Sequence, residues 1–132
     1  MPLLENIFIK ETTTTPEVSF NVNQGFLQIK GVSLPEDALS FYKPLFEYID
    51  KNAPLLTTKQ LTVSFMLVYL NTSTAGLIAQ MLQLLEKIKA KGIEIHIKWH
   101  YEEDDEDMKD MGSDYKNTTK LPFSVIAVKE IL

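Results

Sequence analysis

The sequence predicts a single α/β domain, a mixed β-sheet whose helices connect the strands, in the order β-β-α-β-α-β-α-β. Three observations carry this. Short runs of alternating or continuous apolar residues recur along the chain, which is strand patterning. Most of the stretches between them place apolar residues at three- and four-residue spacing, the mark of one buried helix face. The chain has 132 residues, 45% hydrophobic and 23% charged, with five Gly and six Pro. That length suffices for one core, and the composition argues against a disordered, collagen-like or repeat protein.

The elements follow in chain order. Residues 1–16 are expected to form a loose N-terminal segment of the single domain 1–132, with Thr12–Thr15 as a polar loop before Pro16. Val18, Phe20 and Val22 alternate, Asn23-Gln24-Gly25 supplies a turn, and Leu27 and Ile29 alternate again, which reads as a β-hairpin. Gly31 is expected to end the second strand. Ser33-Leu34-Pro35-Glu36 has the spacing of a capping box with proline in the first turn. The helix after it presents Ala38, Phe41, Tyr42, Leu45, Tyr48 and Ile49 on one face. Pro44 lies inside that helix without the N–H an interior position needs, so the helix bends there or divides in two. Asn52–Lys59 reads as a loop.

Leu61–Leu70 is almost continuously apolar, the pattern of a central strand covered on both faces. Asn71-Thr72-Ser73-Thr74 supplies capping side chains for a long helix bearing Leu77, Ile78, Met81, Leu82, Leu85 and Ile88. Lys87, Lys89 and Lys91 favour that helix's C-terminal end, and Gly92 stops it. From Ile93 to His100, Ile93, Ile95, Ile97 and Trp99 alternate with Glu94, His96, Lys98 and His100, so one face is buried and the other wet or thinly covered. A helix is expected near Met108–Lys116, and Pro122–Val128 as a closing edge strand.

The net charge of −5 arises from 18 acids and 13 bases, and every base is lysine. Within Tyr101–Tyr115, eight acids against Lys109 give −7, which leaves the rest of the chain at +2. Without arginine or a basic–aromatic patch the chain is a poor candidate for nucleic acid. It has no cysteine, so disulfides, thiolate metal sites and cysteine nucleophiles are excluded. No signal peptide is evident, and no apolar run approaches the ~20 residues of a membrane span. A cytoplasmic protein without membrane insertion is expected, with no cofactor and no metal.

Asn71–Thr74 is the most informative constellation. A buried strand delivers these side chains to a helix N-terminus, where free N–H groups and the helix dipole favour an anion. The residues either cap the helix or offer Thr72 or Ser73 for phosphorylation, which adds about −1.5 to −2 charge to the surface. The acidic run has three readings: a solvated loop, a surface for a basic partner, or carboxylates of a metal-dependent hydrolase using Asp104, Asp105 and Asp107. Calcium-loop spacing fails, because Lys109 and Met111 would fall on ligand positions. His96 and His100, roughly 13 Å apart along a strand, read as surface histidines. No P-loop, dinucleotide glycine pattern or nucleophile elbow is present.

Three segments together resemble the SiaC-type bacterial regulatory phosphoproteins. They are Gly31–Ala38 with Phe41-Tyr42-Lys43-Pro44; Tyr69-Leu70-Asn71-Thr72-Ser73-Thr74; and Trp99–Met108 with Gly112, Asp114 and Tyr115. The resemblance spans about Gly25–Phe123. It implies a fold similar to STAS-type anti-sigma factor antagonists and a non-enzymatic switch. A protein kinase would phosphorylate Thr72, with Ser73 as the alternative acceptor, and a PPM-type phosphatase would remove the phosphate. The unphosphorylated form would bind and activate a downstream enzyme such as a diguanylate cyclase. The partner surface carried over comprises Ser33, Leu34, Pro35, Glu36 and Asp37; Leu70, Asn71, Ser73 and Thr74; and Tyr101, Glu102, Glu103, Asp104 and Asp105. Leu34, Asp37 and Thr74 depart from the family pattern, where an aromatic, Asn and Ser are expected. Phosphate would block docking through desolvation cost and charge repulsion.

Overall fold

A computed structural model describes residues 5–132. Six strands form one sheet in chain order: β1 (Ile7–Ile9), β2 (Glu17–Asn21), β3 (Phe26–Ser33), β4 (Gln60–Leu70), β5 (Glu94–Glu102) and β6 (Phe123–Val128). β1–β2 and β2–β3 pair antiparallel, and β3 to β6 pair parallel. The three parallel crossovers carry α1 (Ala38–Asn52), α2 (Thr72–Ala90) and α3 (Glu106–Thr118). Each crossover steps one strand further in the same direction, so the right-handed rule puts all three helices on one face of the sheet.

The core lies between that face and the helices. Val18, Ile29, Phe65 and Trp99 are register partners across β2 to β5 and are at most 1% exposed. Phe20 meets Tyr48 of α1 edge-on, and Trp99 packs against Tyr115 of α3 with the two rings tilted by 54°. The Trp99 indole N–H donates to the Met108 carbonyl at 3.0 Å, so the largest core side chain leaves no buried donor unpaired.

Several expectations are corrected. Ile7–Ile9 forms a short edge strand within the segment expected to be loose; residues 1–4 lie outside the described residues. Gly31 does not end β3, which continues to Ser33. Ser33 is therefore a strand residue, and α1 is capped by Asp37, whose carboxylate accepts the Ser40 N–H at 3.1 Å. Of the two outcomes expected at Pro44, division into two helices does not occur: α1 is continuous through this exposed position, where the unpaired Ser40 carbonyl can meet water. The loop after it contains one 3₁₀ turn, Ala53–Leu55. The apolar run of β4 has helices on one face only. On the other face Thr62, Met66 and Val68 are half-buried, shielded by the neighbouring strands' side chains rather than by a helix layer. α3 begins at Glu106, two residues earlier than expected, because Asp105 caps it and Glu106 and Asp107 complement its dipole.

One irregularity shapes the sheet edge. The register runs Gly31↔Leu67, then Val32↔Tyr69, so β4 carries one residue more than β3 at this step. The bulge reverses the alternation of β4 beyond it. Leu67 and Leu70 are both buried, while Tyr69 between them is 60% exposed.

Candidate functional site at the carboxyl edge of the sheet

The parallel strands β3, β4 and β5 all end at the same edge, and each passes directly into a helix. The three junctions are built alike. Asp37, Asn71 and Asp105 accept the N–H three residues on, from Ser40, Thr74 and Met108, at 3.1, 2.9 and 3.0 Å. Each cap satisfies one of the N–H groups that a helix start leaves without a partner. The Asp37 carboxyl is held below its ordinary range, chiefly by the Ser40 hydroxyl and then by the Ser40 N–H. The middle cap alone is neutral, and its amide has a second task. Asn71 Nδ2 donates to the Pro35 carbonyl at 3.2 Å, while its backbone N–H donates to the Ser33 carbonyl at 3.0 Å.

Beneath that cap lies a buried polar network. Ser33 Oγ is 2.7 Å from the Tyr42 hydroxyl and 2.8 Å from Thr74 Oγ1, and Thr74 Oγ1 also donates to the Ser33 carbonyl at 3.3 Å. Ser33 and Thr74 are both 0% exposed. Burial pushes the Tyr42 hydroxyl up to about 12, against the opposing effect of its bond to Ser33. The network fastens the end of β3, the second turn of α1 and the first turn of α2 to one another. Tyr115 extends the bracing to α3 by donating its hydroxyl to the Ala75 carbonyl at 2.6 Å.

The expected residues therefore separate by placement. Thr72 and Ser73 are exposed, with Glu36, Asp37, Glu103 and Asp104 exposed at the neighbouring junctions. Ser33, Pro35, Leu70 and Thr74 are buried and position the turn from below. Leu34 is half-buried, its N–H bound to the Thr14 carbonyl at 2.7 Å. Tyr101 packs against the core, and Glu102 accepts the Ile131 N–H at 3.0 Å, holding the C-terminal tail. A groove of ≈ 370 Å³ runs between the starts of α1 and α2, with Thr72, Ser73, Leu39 and Leu77 in its lining.

Among the described residues no group of three or more His, Asp and Glu is arranged to hold a metal ion, and no helix is long and apolar enough to cross a membrane. His96 Nε2 lies 2.9 Å from Ser124 Oγ, and His100 Nδ1 lies 3.2 Å from the Phe65 carbonyl, both on the sheet face away from the helices. Sequence reasoning missed Asp37 as the cap of α1, the double role of Asn71 and the exposure of Tyr69. For Tyr69 one signal existed: a glycine inside a strand pattern, Gly31, marks a candidate bulge.

Comparison with known proteins places the chain in a family and agrees with its fold. The family model for "SiaC family regulatory phosphoprotein" matches residues 9–128. An uncharacterized protein of Pseudomonas aeruginosa (strain UCBPP-PA14) is 25% identical over 129 residues, 96% of this chain and 100% of the relative. Among solved structures, apo-SiaC from Pseudomonas aeruginosa superposes with a TM-score of 0.83 at 23% identity, covering 94% of this chain and 100% of that one. A chain in the crystal structure of the diguanylate cyclase SiaD in complex with its activator SiaC, from the same organism, gives 0.84 at 24% identity, covering 92% and 99%. The solved structures establish the fold, and the family match spans all but its outermost residues: the chain belongs to the SiaC family of regulatory phosphoproteins, a regulator rather than an enzyme.

Proposed function

We propose that this chain is a partner-switching phosphoprotein whose switch is Thr72. A protein kinase phosphorylates Thr72, a PPM-type phosphatase restores the hydroxyl, and the unphosphorylated edge binds and activates a downstream diguanylate cyclase. The observation that carries the reading is the unequal fate of three adjacent hydroxyls. Thr74 is wholly buried and engaged with Ser33, whereas Thr72 and Ser73 stand exposed on a turn that the Asn71 cap and the Ser33 network hold rigid. A kinase can reach Thr72 without unfolding anything. Ser73, equally exposed, is the alternative acceptor.

The energetics favour such a switch. Phosphate on Thr72 adds about −1.5 to −2 charge at a helix N-terminus capped by a neutral amide, so the folded domain tolerates it. A partner pressed against the same spot has to strip water from that charge, which disfavours docking. The solved complex between the diguanylate cyclase SiaD and its activator SiaC supports the choice of partner class. The test is binding of purified Thr72→Ala and Thr72→Asp variants to a diguanylate cyclase from the source organism. The alanine variant is expected to bind like the unphosphorylated protein and the aspartate variant not to bind; equal binding by both overturns the reading.

A further inference from the structure

Tyr69 stands three residues before Thr72, and its exposure is a product of the bulge. In a regular strand it would face the helices with Phe65 and Leu67. The additional residue of β4 turns it away, and 60% of its surface is open. The rings of Tyr42, Tyr48 and Tyr115 pack on other aromatic rings, whereas that of Tyr69 stands largely in water. An aromatic side chain, with only two rotatable side-chain bonds, loses little entropy on binding and offers a large apolar face, the profile of an interface anchor. Three residues of chain reach at most about 10 Å, and a standard interface of about 800 Å² per partner extends about 16 Å from its centre. A footprint centred on Thr72 can thus include Tyr69. Leu39, 53% exposed, shares the lining of the groove with Thr72 and adds apolar surface there. The next junction carries the exposed carboxylates Glu103 and Asp104.

We propose that Tyr69 is the apolar anchor of the docking surface controlled by Thr72, and that it enters an apolar pocket bordered by lysine or arginine side chains on a partner protein. The inference rests on the reading of Thr72 as the switch and deepens it. The basic border matches Glu103 and Asp104 in charge. Phosphate then acts by bulk and desolvation at the dry centre of the contact, not by repulsion from an acidic partner.

The experiment titrates purified diguanylate cyclases of the source organism with the unphosphorylated protein and its variants, at low and high salt. Tyr69→Thr suits a strand, and Tyr69→Phe keeps the ring. We expect Tyr69→Thr to weaken binding by about 30-fold, the scale of a hot-spot residue, and Tyr69→Phe to stay within a few-fold. Glu103→Lys with Asp104→Lys should weaken binding further and remove its salt dependence. An unchanged melting curve for Tyr69→Thr separates lost contact from lost fold, and Tyr69→Phe provides a variant that keeps the same packing volume. Wild-type affinity in Tyr69→Thr, with binding still abolished by Thr72→Asp, overturns the anchor and leaves the switch standing. Binding that neither salt nor charge reversal alters overturns the basic border. Equal binding by wild type and Thr72→Asp, or no binding by wild type, overturns the switch and the anchor together.

Discussion

Ser33 is the residue on which the proposed switch edge rests. Its hydroxyl serves the Tyr42 and Thr74 hydroxyls at once, in a place with no access to water. Ser33→Ala leaves the buried Tyr42 hydroxyl without its partner, while Thr74 keeps its bond to the residue-33 carbonyl. The substitution should cost about 1–3 kcal/mol by urea unfolding, the penalty of an unsatisfied buried polar group. The same network gives stability an alkaline limit. Burial pushes the Tyr42 and Tyr115 hydroxyls up to about 12 from an ordinary value of 10.0. The folded state keeps protons that the unfolded chain releases near pH 10. The stabilisation is therefore intact below pH 10 and is lost as pH rises from there towards 12. Tyr42→Phe should flatten that decline in urea midpoints measured between pH 9 and 12. None of this was visible in the sequence. Ser33 resembled the start of a capping box, and the spacing that suggested so belongs to a strand end followed by a separate cap at Asp37.

At the scale of elements, local patterning was a good guide wherever one face met the core. The hairpin, the stripe of α2 and the alternation of β5 follow directly from it. It failed where neighbouring elements decide. The extent of β3 past Gly31 depends on its pairing with β4, and the apolar second face of β4 reflects a central place in the sheet rather than a second helix layer. Two substitutions test the packing. Gly112 lies against the Trp99 ring, where an added Cβ would come within 2.7 Å of Nε1 and 2.9 Å of Cγ. Trp99 is 1% exposed and cannot yield. Gly112→Ala should therefore destabilise on balance by up to about 2 kcal/mol, an overpacking penalty of about 1–3 kcal/mol outweighing the ~1 kcal/mol that alanine gains in helix propensity. Pro44 is exposed inside an intact helix. Pro44→Ala restores the hydrogen bond to the Ser40 carbonyl and should raise the thermal midpoint, with a gain of at most about 3 kcal/mol.

For the whole molecule, the charge of −5 resolves into an acidic junction on a nearly neutral body. Half of that acidity has structural work: Asp105 caps α3, Glu106 and Asp107 complement its dipole, and Glu102 holds the tail. Of the remainder, Glu103 and Asp104 lie at the sheet edge, while Asp110 and Asp114 lie along α3. Three parallel strands in sequence order bring Asp37, Thr72 and Asp104 to one edge, although 35 and 32 residues separate them in the chain. Motif order made that edge legible in the sequence, since each segment followed a strand pattern. It could not separate exposed Thr72 from buried Thr74, because capping chemistry looks the same for both until the turn is folded. The most direct test of the central claim is peptide mass spectrometry of the protein isolated from its own cells, with the phosphate localised to a residue. Phosphate on Thr72 is the predicted result; a phosphoprotein modified elsewhere, with both Thr72 and Ser73 always unmodified, would contradict it.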